Sequence, residues 1–268
     1  MDIIEKHLLK EPKRTVQNVI TAVIVIVFLV WSLTAIDLSN FTSNGLAIAQ
    51  NILHGIVTPN TELLFTFNKT GVPYLLLETM AIAFLGTIIG TILAIPLAFL
   101  SASNIVPKPV AFIIRLFLIF VRTIPAIVYG LMFIRVTGPG PFAGVMTMAL
   151  VSIGMLSKLF VDIIEDLEVN ILESLESIGC TPFEKIRYGI IPQLFAMFIS
   201  VAIYRFDMNL RDAAILGLVG AGGIGAPLIF AMNAYKWSEV GSILIGLMVL
   251  ILFVEFLSNK IRNTIVRG

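Results

Sequence analysis

Six long apolar runs constrain the fold of this chain more than any other feature of its sequence. The hydrocarbon core of a bilayer is about 30 Å thick and a helix rises about 1.5 Å per residue, so a spanning helix needs about 20 apolar residues. The runs lie at residues 16–36, 72–100, 109–134, 141–163, 192–217 and 240–258. We therefore predict an all-α, polytopic membrane protein with about six transmembrane helices.

Composition supports the same class of protein. Hydrophobic residues make up 58% of the 268 residues and charged residues only 13%, whereas soluble domains carry about 25% charge. The chain therefore has too few polar groups to cover a soluble globular surface. Its single cysteine, Cys180, excludes a disulfide framework and a cysteine-based zinc cluster. We expect no cofactor and no metal, and the net charge of +1 gives no reason to expect a nucleic-acid partner.

The distribution of basic residues predicts the orientation of the chain. Several bases flank the first and last runs on their outer sides, whereas the connection at residues 37–71 carries only Lys69. The positive-inside rule then places both termini in the cytoplasm. We expect residues 1–15 to form a cytoplasmic N-terminal segment and residues 16–268 to form one transmembrane domain. Residues 46–57 could form an amphipathic helix on the outer surface.

A polar stretch, ESLESIGCTPFEKIRYGIIPQ at residues 173–193, interrupts the apolar sequence on the predicted cytoplasmic side. From residue 158 to residue 187 there are seven acidic and three basic side chains, and apolar residues recur at helical intervals. Gly179 would end one short helix, and Thr181 would cap the next, with Pro182 at its first position. The pattern fits either a docking surface for a soluble partner or an ordinary solvated loop.

Charged residues inside the predicted spans are the next unusual feature, because a charge at the bilayer centre costs about 2.5–3.5 kcal/mol on insertion scales. Asp207 and Arg211 are four residues apart and can pair along one helix face. Arg205, Asn209 and Asp212 share another face. Two interpretations remain open: a polar pathway or gate, or ion pairs that lock helices together. The candidate pathway residues are Arg122, Arg205, Asp207, Asn209 and Arg211.

The segment GLVGAGGIG carries a G-x-G-x-x-G pattern, but a dinucleotide site is disfavoured. Such a site needs a strand before the glycines and an acid about twenty residues later, whereas here the pattern lies in a span and Glu239 is too near. We predict a bend or broken helix instead, since unwound backbone survives in a membrane where it is buried or lines a cavity. The glycines concerned are Gly220, Gly222, Gly223 and Gly225.

Enzymatic activity is not expected. The chain has no G-x-x-x-x-G-K-[ST] phosphate loop, so ATP hydrolysis would need another subunit. The only histidines, His7 and His54, lie outside the spans and far apart in sequence, so neither a Ser–His pair within the spans nor an H-E-x-x-H metal site is present. A membrane-embedded enzyme and a stand-alone secondary transporter remain minor alternatives.

The polar stretch resembles the coupling motif of membrane subunits of binding-protein-dependent ABC importers, E-A-A-x3-G-x9-I-x-L-P. Three residues match in register: Glu173, Gly179 and Pro192. The substituted positions are Ser174 and Leu175 in place of alanines, Gly189 in place of isoleucine, and Ile191 in place of leucine. In that family the loop sits in a cleft of the ATPase subunit and transmits its closure to the spans. The resemblance implies this role for residues 164–191, with Glu176 among the contacting acids.

A narrower resemblance covers the chain from about residue 72 onward. The blocks IYRFDMNLRDAAILGLVGAGGIG, FVRTIPAIVYGLMF, GPGPFAGVMTMAL and GMLSKLFVDIIEDLE look like successive segments of phosphonate-type importer permeases. The resemblance implies a type I ABC importer permease for phosphonates or related phosphorus oxyanions. It also implies two ATPase copies, a second permease copy, expected to be identical, and an extracytoplasmic binding protein. A permease for methionine or another small solute is the alternative.

Overall fold

A computed structural model describes residues 15–35, 45–167, 173–175 and 177–267, and every regular element in these ranges is helical. The all-α prediction is therefore confirmed for the described part of the chain. The helices are α1 (Thr15–Ala35), α2 (Gly45–Val57), α3 (Thr61–Phe65), α4 (Val72–Ser101), α5 (Lys108–Thr123), α6 (Ala126–Thr137), α7 (Pro141–Glu165), α8 (Pro182–Glu184), α9 (Ile191–Gly217), α10 (Gly225–Asn233) and α11 (Trp237–Arg267). A π-helical segment, Lys185–Ile190, joins α8 to α9.

The chain divides into two compact units, residues 1–50 and 51–268. The first unit contains α1, and the second contains α3 to α11, while α2 crosses the boundary between them. Within the described residues, five helical segments are long and apolar enough to cross a membrane. They are Val16–Thr34, Val72–Ser101, Pro141–Glu165, Lys185–Gly217 and Trp237–Ile265.

The third predicted span, residues 109–134, is not one continuous helix, so that prediction is wrong in detail. The chain bends by 84° between α5 and α6, and the pair counts as a sixth crossing only as a broken span. The residue before the proline, Ile124, is extended with φ −82° and ψ 124°. Proline disfavours helical backbone at the preceding residue, and Pro125 has no N–H to continue the helical hydrogen bonds.

Helices α4 and α7 form the centre of the second unit, and two glycines let their backbones approach. A side chain at Gly86 would overlap Met148 of α7, and one at Gly90 would lie 2.5 Å from the Cβ atom of Ser152. Helix α9 packs against both central helices, and the ring centroids of Phe198 of α9 and Phe160 of α7 lie 4.5 Å apart. Small residues at helix contacts are characteristic of membrane proteins, where association depends on close packing.

The glycine-rich segment forms a tight turn between α9 and α10. Gly220, Gly222 and Gly223 have positive φ angles of 96°, 83° and 73°, which glycine adopts at no steric cost. Gly225 starts α10, and a side chain there would overlap the carbonyl oxygen of Ala214. The helix is therefore broken at residues 218–224, and Gly225 is needed for close packing rather than for a special φ angle.

Two side chains of α4 hold this turn. The Glu78 carboxylate accepts a hydrogen bond from the Gly223 N–H at 2.9 Å, and the Thr79 hydroxyl accepts one from the Ile224 N–H at 2.9 Å. Backbone N–H groups in a membrane need partners inside the protein because no water is available. The Glu78 carboxylate and the Thr79 hydroxyl therefore supply acceptors for two backbone N–H groups of the turn.

We predict that Thr79→Val destabilises the protein by about 1–3 kcal/mol, because it leaves the buried Ile224 N–H without an acceptor. The matched control is Thr91→Val on the same helix, since the hydroxyl of Thr91 donates to the carbonyl of Thr87, one turn before it, and to no other group among the described residues. The free energy of unfolding of each variant in mixed detergent is the measurement. Equal losses in the two variants would contradict a special role for Thr79.

Candidate functional site

The polar stretch contains a sharp turn at Gly179. Residues 173–175 are helical, and Gly179 has a φ angle of 85° with no neighbouring atom within 4 Å of the position of an added Cβ. The backbone conformation itself, not crowding, therefore requires glycine here. Beyond the turn, the Cys180 N–H donates to the Leu175 carbonyl at 3.1 Å, which closes the helix end. Glu176 and residues 168–172 lie outside the described residues.

Thr181 and Glu184 form a capping box at the start of α8. The Thr181 N–H and hydroxyl donate to the Glu184 carboxylate at 2.8 and 2.7 Å, and the Glu184 N–H lies 3.4 Å from the Thr181 hydroxyl. This reciprocal arrangement satisfies donors that a helix N-terminus leaves free. The Thr181 N–H first, and then its hydroxyl, hold the pKa of Glu184 below its ordinary value. The predicted cap at Thr181 is confirmed.

A π-helical segment connects the cap to the long helix α9. The Ile191 N–H donates to the Ile186 carbonyl, five residues back, and Pro192 follows at the second position of α9. Proline has no N–H and its ring displaces the carbonyl four residues earlier, which favours the wider turn. Single turns of π-helix within α-helices occur frequently at functional sites. The candidate coupling residue Pro192 thus lies where the polar stretch joins a span.

Leu175 packs against Gly189 across the turn. Gly189 is buried, and a Cβ atom there would overlap the Cδ1 atom of Leu175 and lie 3.6 Å from its Cγ atom. The Leu175 side chain therefore fills the space that a side chain at Gly189 would occupy, and this contact joins the short helix to the π-helical segment. Both positions depart from the coupling motif, which has alanine and isoleucine there.

A polar cluster lies among α4, α7 and α9. The Ser152 hydroxyl accepts from Arg205 Nε at 3.2 Å and from Asn209 Nδ2 at 2.7 Å, and Asn209 Nδ2 also donates to Thr87 at 2.8 Å. Arg205 Nη1 lies 3.1 Å from the Met155 sulfur, and Nη2 lies 3.7 Å from Asp212. Arg205 is 3% exposed and Asn209 is fully buried. The cluster joins three helices through hydrogen bonds that sequence reasoning did not predict, because Ser152 and Thr87 carry no special local signal.

Asp207 and Arg211 form the predicted pair on the other face of α9. Arg211 Nη2 lies 2.5 Å from Asp207 Oδ2, and Glu255 of α11 lies 3.9 Å from the same guanidinium. Asp207 is 9% exposed, while the Arg211 side chain is about half exposed. The second oxygen of Asp207 is buried without a hydrogen-bond partner among the described residues, so the ionised carboxylate depends strongly on Arg211.

Arg122 lies apart from these clusters, in the last turn of α5 and just before the 84° bend. Its side chain is exposed and lines a groove between α5 and α7 together with Arg115 and Lys158. The five candidate pathway residues are thus not brought together in one place. Arg205 and Asn209 share one cluster, Asp207 and Arg211 form a separate pair, and Arg122 lies in the groove.

The profile of the binding-protein-dependent transport system inner membrane component family matches residues 94–266. The chain belongs to this family. Its members are membrane components of transporters rather than enzymes, and they work with an ATPase subunit and a binding protein. The described helices agree with a multi-pass protein of the inner membrane.

Two relatives show the closeness of the match. The phosphite transport system permease protein PtxC of Stutzerimonas stutzeri is 32% identical over 189 residues, which are 70% of this chain and 69% of that protein. The phosphate-import permease protein PhnE of Mycolicibacterium smegmatis is 37% identical over 190 residues, which are 70% of this chain and 36% of that protein. The matched segment thus spans about a third of the length of the mycobacterial relative.

Solved structures of ABC importers share the fold. An inward-facing structure of the MetNI methionine ABC transporter has a TM-score of 0.62 at 19% identity, covering 71% of this chain and 94% of that one. An amino acid ABC transporter crystallised with histidines has a TM-score of 0.58 at 19% identity, covering 84% of this chain and all of that one. The predicted fold class, a type I ABC importer permease, is therefore confirmed.

We predict that Asp207 and Arg211 are energetically coupled by about 0.5–3 kcal/mol, the range for residues in contact. Arg211→Gln should destabilise more than Asp207→Asn, because it leaves a buried carboxylate without its cation and close to Glu255. Free energies of unfolding of both single variants and of the double variant give the coupling. Simply additive losses would contradict the pairing.

Proposed function

We propose that the chain is the permease subunit of an ABC importer for phosphonates or related phosphorus oxyanions, driven by separate ATPase subunits. The observation that carries the proposal is the similarity to permeases named for phosphite and phosphate transport over 70% of the chain. A cryptic phosphonate transport system permease protein of Escherichia coli, PhnE2, is also 34% identical over 110 residues. A permease for methionine or another small solute is the weaker alternative, because the similarity to MetNI supports the fold alone.

The proposed orientation places both termini in the cytoplasm. With the bent pair α5 and α6 counted as one crossing there are six crossings, an even number that puts the two ends on the same side. Basic residues near the ends, including Lys260 and Arg262 of α11, favour the cytoplasmic side. Residues 1–15 would then be a cytoplasmic segment and residues 16–268 the transmembrane domain, with the coupling loop at about residues 164–191 inside the cell.

The proposed assembly contains two permease copies of this chain, two ATPase subunits and an extracytoplasmic binding protein. The chain itself has no phosphate-binding loop for ATP, and the family works with a separate ATPase and a binding protein. A second identical permease copy would supply the other half of the pathway, as expected for a symmetric homo-oligomer.

Glu173, Glu176, Gly179 and Pro192 are the proposed coupling residues. Glu173 is exposed on the short helix before the turn, where its carboxylate can contact a partner. Gly179 gives the turn its left-handed backbone, and Pro192 lies where the π-helical segment enters α9. A displacement of the short helix would be transmitted through the contact between Leu175 and Gly189. Helix α9 would then carry it to the polar groups within the membrane.

We expect a reconstituted complex to take up labelled phosphite or 2-aminoethylphosphonate in an ATP-dependent way and to ignore methionine. The physical reason is that a pathway and a binding protein suited to a phosphorus oxyanion reject a zwitterion without that group. Uptake into proteoliposomes, compared with and without ATP and the binding protein, is the measurement. Methionine uptake without any phosphorus oxyanion would refute the proposed cargo.

A size exchange between Leu175 and Gly189 tests the proposed coupling. Gly189→Ile should lower binding-protein-stimulated ATPase activity by about fivefold or more, because overpacking costs at least about 1 kcal/mol. Leu175→Ala should also lower it, since a gap then separates the short helix from the π-helical segment.

The double variant Leu175→Ala, Gly189→Ile serves as the matched control, because it restores the total volume with the two sizes exchanged. We expect it to recover most of the stimulated activity while basal ATPase activity stays constant in all variants. If the double variant is as impaired as the sum of the single ones, this contact does not transmit the signal.

A further inference from the structure

A groove between α5 and α7 has a volume of about 200 Å³ and is rich in charge. Its charged lining consists of three bases, Arg115, Arg122 and Lys158, and two acids, Asp162 and Glu165. The groove therefore carries a formal surplus of one positive charge. Helix α7 is long and apolar enough to cross a membrane, and α5 is the first arm of the bent pair that counts as a broken span, so the surplus lies beside membrane-crossing segments.

Both acids of the groove already have cationic partners. Arg115 donates to the Glu165 carboxylate, which also accepts from the Ser103 N–H at 2.7 Å. The Lys158 ammonium lies 3.9 Å from Asp162. Arg122, by contrast, has no hydrogen bond or ion pair with any residue in the described ranges 15–35, 45–167, 173–175 and 177–267. The surplus charge of the groove is thus the guanidinium of Arg122.

The stem of Arg122 lies against the middle of α7, and its side chain lines the groove together with Lys158 and Asp162 of that helix. The stem contacts Gly154, where a Cβ atom would come within 2.6 Å of the Arg122 Cγ atom. Gly154 is about 20 Å along α7 from Pro141 and about 16 Å from Glu165, so it lies near the middle of the crossing. An intramembrane arginine is costly when it faces lipid, and arginines at this depth normally face a polar cavity or a partner.

The bend next to Arg122 also indicates a binding site. The chain leaves its helical path at Ile124, two residues after Arg122, and turns by 84°. Interrupted helices at membrane depth are tolerated where they are buried in protein or line a water-filled cavity, and in transporters such breaks mark substrate sites. Arg205 offers no such site, since it is 3% exposed and already contacts Ser152 and Asp212.

We propose that the α5–α7 groove binds a tetrahedral phosphorus oxyanion through the guanidinium of Arg122, with Lys158 and Arg115 adding positive potential. The proposal rests on the proposed function when the anion is the cargo, and the same chemistry would also bind the headgroup of an anionic lipid. A planar guanidinium forms two parallel hydrogen bonds to such an anion. The paired acids, Asp162 and Glu165, limit the positive field, so the anion can leave again, as transport requires.

The first measurement is uptake of labelled phosphite by the complete complex carrying Arg122→Gln or Arg122→Lys. We expect the glutamine variant to lower Vmax/KM by about tenfold or more, the factor that a hydrogen bond to a charged group contributes. The lysine variant should lose less, because it keeps the charge but not the two-pronged geometry. The matched control is Arg135→Gln, an exposed arginine of α6 outside the groove, which should stay within about twofold of the wild type.

Two vesicle compositions distinguish the sources of the anion. A loss with Arg122→Gln in vesicles both with and without phosphatidylglycerol supports the cargo as ligand. A loss confined to vesicles with phosphatidylglycerol assigns the groove to the lipid headgroup. Equal uptake by Arg122→Gln and Arg135→Gln in both compositions would overturn the groove as an oxyanion site.

A second measurement does not depend on transport. The complex without its binding protein, in a maltoside detergent that contains no phosphorus, should broaden the ³¹P resonance of phosphite, and Arg122→Gln should remove the broadening. If the wild type broadens the phosphite resonance but takes up no phosphite, the proposed function is refuted and the anion site is supported. No difference between the wild type and Arg122→Gln in the resonance would overturn the site even if uptake is normal.

Discussion

The contact between α4 and α7 is the constraint on which the rest of the second unit depends. In a bilayer, apolar side chains gain nothing by leaving lipid, so helices associate through close packing and through polar groups that find partners inside the protein. Gly86 and Gly90 let α4 approach Met148 and Ser152 of α7. That approach places Thr87 and Ser152 close enough to hold Asn209, and α9 is thereby fixed against both helices.

The polar groups within the membrane-spanning segments fall into two kinds. Arg205, Asn209 and Glu78 form hydrogen bonds within the chain, which lipid could not replace. Arg205 Nη2 and Asn209 Oδ1 are buried without a hydrogen-bond partner among the described residues. The hydrogen bonds stabilise the arrangement of the helices and the glycine turn. Arg122 is exposed in a groove whose acids are already engaged. Burial and pairing, rather than residue type, separate the structural charges from the candidate for transport.

The polar stretch departs from the coupling motif at both residues of one packing contact. Leu175 and Gly189 stand where the coupling motif has a small and a large residue, and here the large side chain packs on the small one from the opposite side. Close packing depends on the summed volume of two facing residues. The capping box of Thr181 and Glu184 and the turn at Gly179 are local devices that orient this contact.

The sequence by itself determined the features that depend on neighbours within one or two helical turns. The helical class, most of the spans, the turn at Gly179, the cap at Thr181 and the pairing of Asp207 with Arg211 all belong to this group. Their partners are at most five residues apart, or the feature follows from the length of an apolar run. Proline shows the limit of such reasoning. Pro96 lies inside an unbroken α4, whereas α5 ends just before Pro125 and the chain bends by 84°. Only the tertiary structure decided between these outcomes. It also decided that Glu78 bonds to the turn 145 residues away and that Arg205 contacts Ser152, 53 residues away, because such contacts depend on how the helices pack and not on local spacing.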